Sequence, residues 1–247
     1  MVGVRGGLVA AAGGLAVLLA LLRVGPTAWV VAVSCAVVLA VATARRAVAE
    51  GVTSFGPADL VTVTRASLAC AVAGLVADAL VADTEAVTAL VPLTAIALAL
   101  DLVDGRVARR TGTASAFGGR LDGEADAFLI LVLSAYVARS EGAWVLAMGL
   151  VRYAYAVATW SVPWMQRPLP PRYWRKVVAA FTGIALLVAA SGWAPPAVAY
   201  AGLVVAGLLL AESFGWDVVW LWRRRAGEMN PTRGGDVLPG NTLERNR

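Results

Sequence analysis

The sequence predicts an all-α fold, a polytopic membrane helix bundle. Three observations point there. The 247-residue chain is 60% hydrophobic, with a mean hydropathy of +0.74. Only 15% of its residues are charged, against about a quarter in an ordinary soluble domain. Its apolar residues gather into eight stretches, most of them close to the roughly 20 residues that a membrane-spanning helix needs.

The first stretch, 7–22, is short and Gly-rich. Arg5 followed by an apolar run also permits a cleaved signal peptide here, which would leave the remaining helices in the same orientation. The second is 27–44. Residues 47–57 are polar and contain Gly and Pro, so 1–50 read as an N-terminal transmembrane hairpin apart from the rest. Six further spans follow at 60–82, 86–105, 119–138, 142–165, 177–192 and 196–222, within a unit covering 51–225. The tail 226–247 is polar, rich in Gly, Asn and Arg, and reads as a disordered cytoplasmic segment.

The basic residues orient this layout. With the N-terminus inside, eighteen of the 21 Lys+Arg fall on the inner face; Arg23 and Arg139 fall outside, and Arg152 lies within a span. That asymmetry places both termini in the cytoplasm. The net charge of +5 is therefore read as membrane topology and not as a nucleic-acid surface. Most tryptophans, including Trp144, Trp160, Trp193 and Trp216, lie near span ends, as an interfacial aromatic belt does. The chain has no histidine, which excludes His nucleophiles, His bases and His metal ligands. Cys35 and Cys70 lie inside apolar stretches and read as core residues.

The chemistry concentrates in residues 101–126, DLVDGRVARRTGTASAFGGRLDGEAD, where one span ends and the next begins. Asp101 and Asp104 are three apart on one helix face, and Asp122 and Asp126 are four apart on the next helix. A short turn joins the two helices, so the pairs can converge. Carboxylates at a bilayer are expensive, about 2.5–3.5 kcal/mol each at a helix centre. Grouped together they also repel. A hard divalent cation answers both problems with oxygen ligands. Gly105 and Ala108 remove bulk on the Asp101 and Asp104 face, and Gly118 opens the second helix. Arg109 can bind a phosphate. An intramembrane arginine, Arg152, is either functional or paired at an interface. Arg172, Arg175 and Lys176 open a helix and can either anchor it or bind an acceptor phosphate. Glu212 and Asp217 in the last span can face water, another subunit or an arginine.

The spacing D-x2-D-G-x2-A-R-x8-G-x3-D-x3-D, met here by Asp101, Asp104, Gly105, Ala108, Arg109, Gly118, Asp122 and Asp126, resembles the signature of the CDP-alcohol phosphotransferases. The segment PADLVTVTR, residues 57–65, resembles that family's lead into its first core helix. The resemblance implies a six-helix catalytic core over about 57–223 and transfer of a phosphoalcohol from a CDP-alcohol, often CDP-diacylglycerol, to an acceptor alcohol, releasing CMP in phospholipid biosynthesis. It implies that Asp101, Asp104, Asp122 and Asp126 hold two Mg²⁺ or Mn²⁺ ions, with Asp126 also the base. It implies that Gly105, Ala108, Arg109 and Gly118 form the nucleotide pocket, and that the chain is a homodimer. Arg152, Arg172 and Lys176 are the candidates for a small polar or phosphorylated acceptor, such as inositol phosphate or glycerol phosphate.

Ala127 stands where many relatives carry a basic residue, Glu124 lies on a different helix face from its neighbours, and Asp59 stands near the position of a common Asn. Two other readings remain: a cation transporter using intramembrane carboxylates, and a scaffold that has lost catalysis. Neither requires all of the Asp, Gly, Ala and Arg positions together.

Overall fold

The computed structural model describes residues 2–82, 87–111, 115–167, 169–170 and 172–228, with side chains for all of these except 102, 104–111, 116 and 226–228. Helices α1 (Val4–Leu22) and α2 (Pro26–Ala49) form the expected N-terminal hairpin. Arg23 turns the chain between them with φ 51, and Pro26 opens α2, where its missing N–H costs nothing. The Gly25 N–H donates to Asp78 Oδ2 of the following helix at 3.1 Å, tying this turn to the bundle. A feature absent from the sequence reading pins the other end. Strand β1 (Val2–Gly3) pairs antiparallel with β2 (Ser54–Phe55), Val2 opposite Phe55.

Helix α3 (Pro57–Ala82) packs against α1 and α2 and is far more buried than either, with 67% of its most apolar stretch buried against 17% in each of them. Small residues let α2 approach it. Ala28 and Ala32 are fully buried, and a Cβ on Gly74 would stand 2.6 Å from the Ala28 carbonyl oxygen. Helices α4 (Val87–Thr111) and α5 (Ala116–Glu141) pack directly on α3, α6 (Leu146–Ser161) and α7 (Tyr173–Ser191) pack on α5, and α8 (Pro196–Glu228) packs on α7. Leu19, Val72, Leu90, Leu133, Leu186 and Leu203 share one apolar core. Cys70 is buried there and Cys35 packs against it, both unpaired.

The span expected at 142–165 is shorter and broken. Gly142, at φ 98, ends α5, and a 3-10 turn (Ala143–Val145) leads into α6. Val162 is extended before Pro163, which cannot continue the helical hydrogen bonding, and a second 3-10 turn (Pro163–Gln166) follows. Among the described residues, five helices are long and apolar enough to cross a membrane: α1, α2, α3, α7 and α8. The apolar part of α4 ends at Asp101, and α5 carries the charges of the site in its first three turns. Helix α8 runs to Glu228, so it includes the start of the tail expected from 226; residues 229–247 lie outside the described residues. Val9, Leu21, Val30, Leu208 and Trp222 expose apolar surface outward, as lipid-facing residues do.

Candidate active site

Four helices bring the site together: α3 with Asp59 and Arg65, α4 with Asp101, α5 with Asp122 and Asp126, and α7 with Lys176. Helix α5 is started by Ser115, whose Oγ accepts the Gly118 N–H at 2.9 Å. That cap starts the helix at Ala116, which puts Asp122 and Asp126 one turn apart on its inner face. Carboxylate oxygens of Asp101, Asp122 and Asp126 lie within 4.8 Å of one another.

The sequence reading did not single out what joins them. Arg65 is 2% exposed and enters the cluster from α3. Its Nη1 donates to Asp101 Oδ1; its Nη2 pairs with Asp122 Oδ1, stands 3.1 Å from Asp126 Oδ1 and donates to the Asp122 carbonyl at 3.2 Å. A buried arginine persists only when fully paired, and three carboxylates on two helices supply that pairing. The available signal was an arginine in the PADLVTVTR segment, which reads equally well as an ordinary inner-face charge. Lys176 Nζ lies 3.4 Å from Asp122 Oδ2.

Three carboxylates against Arg65 and Lys176 leave an excess of negative charge. The donors are hard oxygens, and the two cysteines lie in the apolar core. This set fits a divalent, oxygen-seeking cation. The backbone of α4 carries Asp104, Gly105, Ala108 and Arg109 in the turns after Asp101, and the side chains of Asp104, Ala108 and Arg109 lie outside the described residues. Gly118 is the third residue of α5. A Cβ there would stand 2.7 Å from Asp59 Oδ1 and 3.1 Å from Ser115 Oγ. Asp59 itself accepts the Gly56 N–H at 2.9 Å, capping the start of α3. The absence of a side chain at 118 thus lets α3 and α5 close upon the cluster.

Beside the carboxylates opens a cavity of about 210 Å³ between α5, α6, α7 and α8. Asp122, Asp126, Arg152, Tyr155, Arg175, Lys176 and Asp217 all line it. Arg175 is held by Asp217 at 2.8 Å. The Tyr155 hydroxyl is buried and has no hydrogen-bond partner. Arg152 lies 3.5 Å from Glu124, which also stands 3.7 Å from Arg46 of the hairpin. Glu124 therefore faces away from the cluster, as its helix position predicts. Arg172 is placed differently from Lys176. It stacks over the Trp216 ring at 4.0 Å, pairs with Glu212 at 3.5 Å, and is not among the cavity's lining residues. Glu212 also accepts the Trp174 indole N–H at 2.7 Å. The two acids of α8 that the sequence left open, Glu212 and Asp217, each meet an arginine of α7's start.

A family model described as CDP-alcohol phosphatidyltransferase matches residues 55–214. No curated protein and no solved structure showed significant similarity to the chain.

Proposed function

Because the chain belongs to the CDP-alcohol phosphatidyltransferase family, we propose that it transfers a phosphatidyl group from CDP-diacylglycerol to a phosphorylated acceptor alcohol, releasing CMP. One observation carries the acceptor side of this reading. Asp122 and Asp126 line the same cavity as Arg152, Arg175 and Lys176, three cations paired with Glu124, Asp217 and Asp122 that a ligand phosphate can share. An apolar cavity wall with convergent cations suits a small anion-bearing ligand better than a neutral one.

Asp101, Asp122 and Asp126, with Asp104 by family analogy, would hold Mg²⁺ or Mn²⁺ ions. When bound, such ions neutralise the donor diphosphate and stabilise the oxygen leaving with CMP. The residues of the chain do the rest. Lys176 and Arg175 orient the acceptor phosphate from α7. Asp126 faces the cavity and takes the proton of the acceptor hydroxyl as its oxygen bonds to the lipid-bearing phosphorus. The bond from that phosphorus to the CMP oxygen breaks, so the proton ends on Asp126 and the negative charge on CMP. Gly105, Ala108, Arg109 and Gly118 belong to the nucleotide side. The arginine asymmetry supports an active site at the cytoplasmic surface, and the family resemblance supports a homodimer.

The test is CMP release by purified protein in lipid with CDP-diacylglycerol and Mg²⁺. The acceptors supplied are inositol phosphate, glycerol phosphate, inositol, serine and phosphatidylglycerol. Release with a phosphorylated acceptor, lost in Asp122→Asn, supports the reading. Release only with a neutral acceptor rejects the phosphate pocket, and no release with any of them counts against the reading, leaving a different CDP-alcohol donor or a protein that keeps the site without the reaction.

A further inference from the structure

Arg65 is an unusual neighbour for a cation site. It is buried, it carries a fixed positive charge, and it contacts one oxygen of each of the three carboxylates that would hold the ion. Those contacts come from both amino groups of one planar guanidinium, Nη1 toward α4 and Nη2 toward α5. Arg65 therefore does two things that oppose each other for metal binding. Its fork aligns Asp101 with Asp122 and Asp126 across a helix boundary. Its charge opposes any second cation brought to the same oxygens.

The relative size of the two effects decides the outcome. Alignment of carboxylates on α5 is also provided by the helix itself, since Asp122 and Asp126 are one turn apart. Among the described residues the charge is not duplicated at that depth: Lys176 touches Asp122 from the cavity side with 69% of its side chain exposed, where solvent screens it. Repulsion between a guanidinium and a divalent ion sharing ligands in a buried setting is large compared with the ordering of a few side-chain torsions.

We propose that Arg65 is a resident counter-charge that holds the carboxylate cluster together and weakens its hold on a divalent cation. The proposal rests on the metal-dependent reading above. A cluster of this charge with no such arginine would bind its ion tightly and independently of the donor. With Arg65 present, the diphosphate of the donor adds the negative charge that completes the ion's site, so ion and donor binding are coupled.

The experiment is Mn²⁺ binding to full-length, detergent-solubilised protein, followed by electron paramagnetic resonance of free Mn²⁺ after chelator treatment. Wild type, Arg65→Gln, Arg65→Lys and Asp122→Asn are compared, with thermal midpoints in chelator and in Mn²⁺. Arg65→Gln is expected to bind Mn²⁺ at least tenfold more tightly than wild type. It is also expected to melt lower in chelator and to be raised more by Mn²⁺. An arginine of merely structural importance would give lower stability together with weaker binding, and that result overturns the proposal, as does unchanged affinity. If Arg65→Gln does not fold, Arg65→Lys decides. It keeps the charge and is expected to stay within threefold of wild type. Binding more than threefold weaker would show that the fork's alignment outweighs its charge and would overturn the proposal; binding more than threefold tighter would overturn it too, since the charge is unchanged. Absence of Mn²⁺ binding that Asp122→Asn can remove, in wild type and in Arg65→Gln alike, would overturn the metal reading itself, and this inference with it.

Discussion

The Arg65 guanidinium grips Asp122 twice, at its carboxylate and at its main-chain carbonyl, from a helix 57 residues earlier in the chain. This double contact fixes where α5 sits against α3. It also makes Asp122 the junction of the site, since the same carboxylate meets Lys176 through its other oxygen.

Asp122→Asn should therefore affect more than a ligand count. It removes the charge that balances Arg65 and leaves that buried guanidinium short of a partner. We expect CMP release to be lost and the melting midpoint in detergent to fall. Near-normal activity in a well-folded Asn variant would remove Asp122 from the metal site.

Asp126 has a different expected profile. Its contact with Arg65 is longer, at 3.1 Å, and it faces the cavity. Asp126→Asn should lower turnover about 10²–10⁴-fold, the usual contribution of a general base, with little loss of stability. A kcat within threefold of wild type would exclude it as the base.

Gly118→Ala tests the closure of α3 on α5. The added methyl would meet Asp59 at 2.7 Å, so the helices must part or Asp59 must release its cap on Gly56. Overpacking of this kind costs about 1–3 kcal/mol. Thermal unfolding should show it; an unchanged midpoint would mean that the contact yields freely.

Lys176→Ala should raise the Michaelis constant for the acceptor more than that for the CDP donor. Tyr155→Phe should do the same to a smaller degree, because Tyr155 lines the proposed acceptor cavity and its buried hydroxyl has no protein partner. Steady-state kinetics with each substrate varied in turn checks both. An effect of either variant confined to the donor would reject the acceptor cavity.

Chelation should abolish CMP release, and Mg²⁺ or Mn²⁺ should restore it. Full activity after exhaustive chelation would rule out the metal-assisted route.

Much of this was legible without coordinates. Hydropathy located the helices, since stretches of this length and composition have few other uses. The spacing of Asp122 and Asp126 announced one shared face, because the helical period places them so, and the few residues between the two spans implied that Asp101 could join them. Charge on an exposed helix end and charge in a buried cluster look alike in one dimension, so Arg65 passed for a topology signal. The break around Gly142 and Pro163 was present as residues but was obscured by the apolar run surrounding it.

By itself, then, the sequence determined the helical membrane architecture, the family signature and three of the convergent carboxylates, all of which follow from local period and composition. Only the tertiary structure decided which cations serve them. Arg65 and Lys176 pair with the cluster, while Arg175 is taken by Asp217 and Arg172 by Glu212 and Trp216. The reason is physical: a charged side chain takes the nearest partner that burial leaves it, and nearness across helices is set by packing, not by position in the chain.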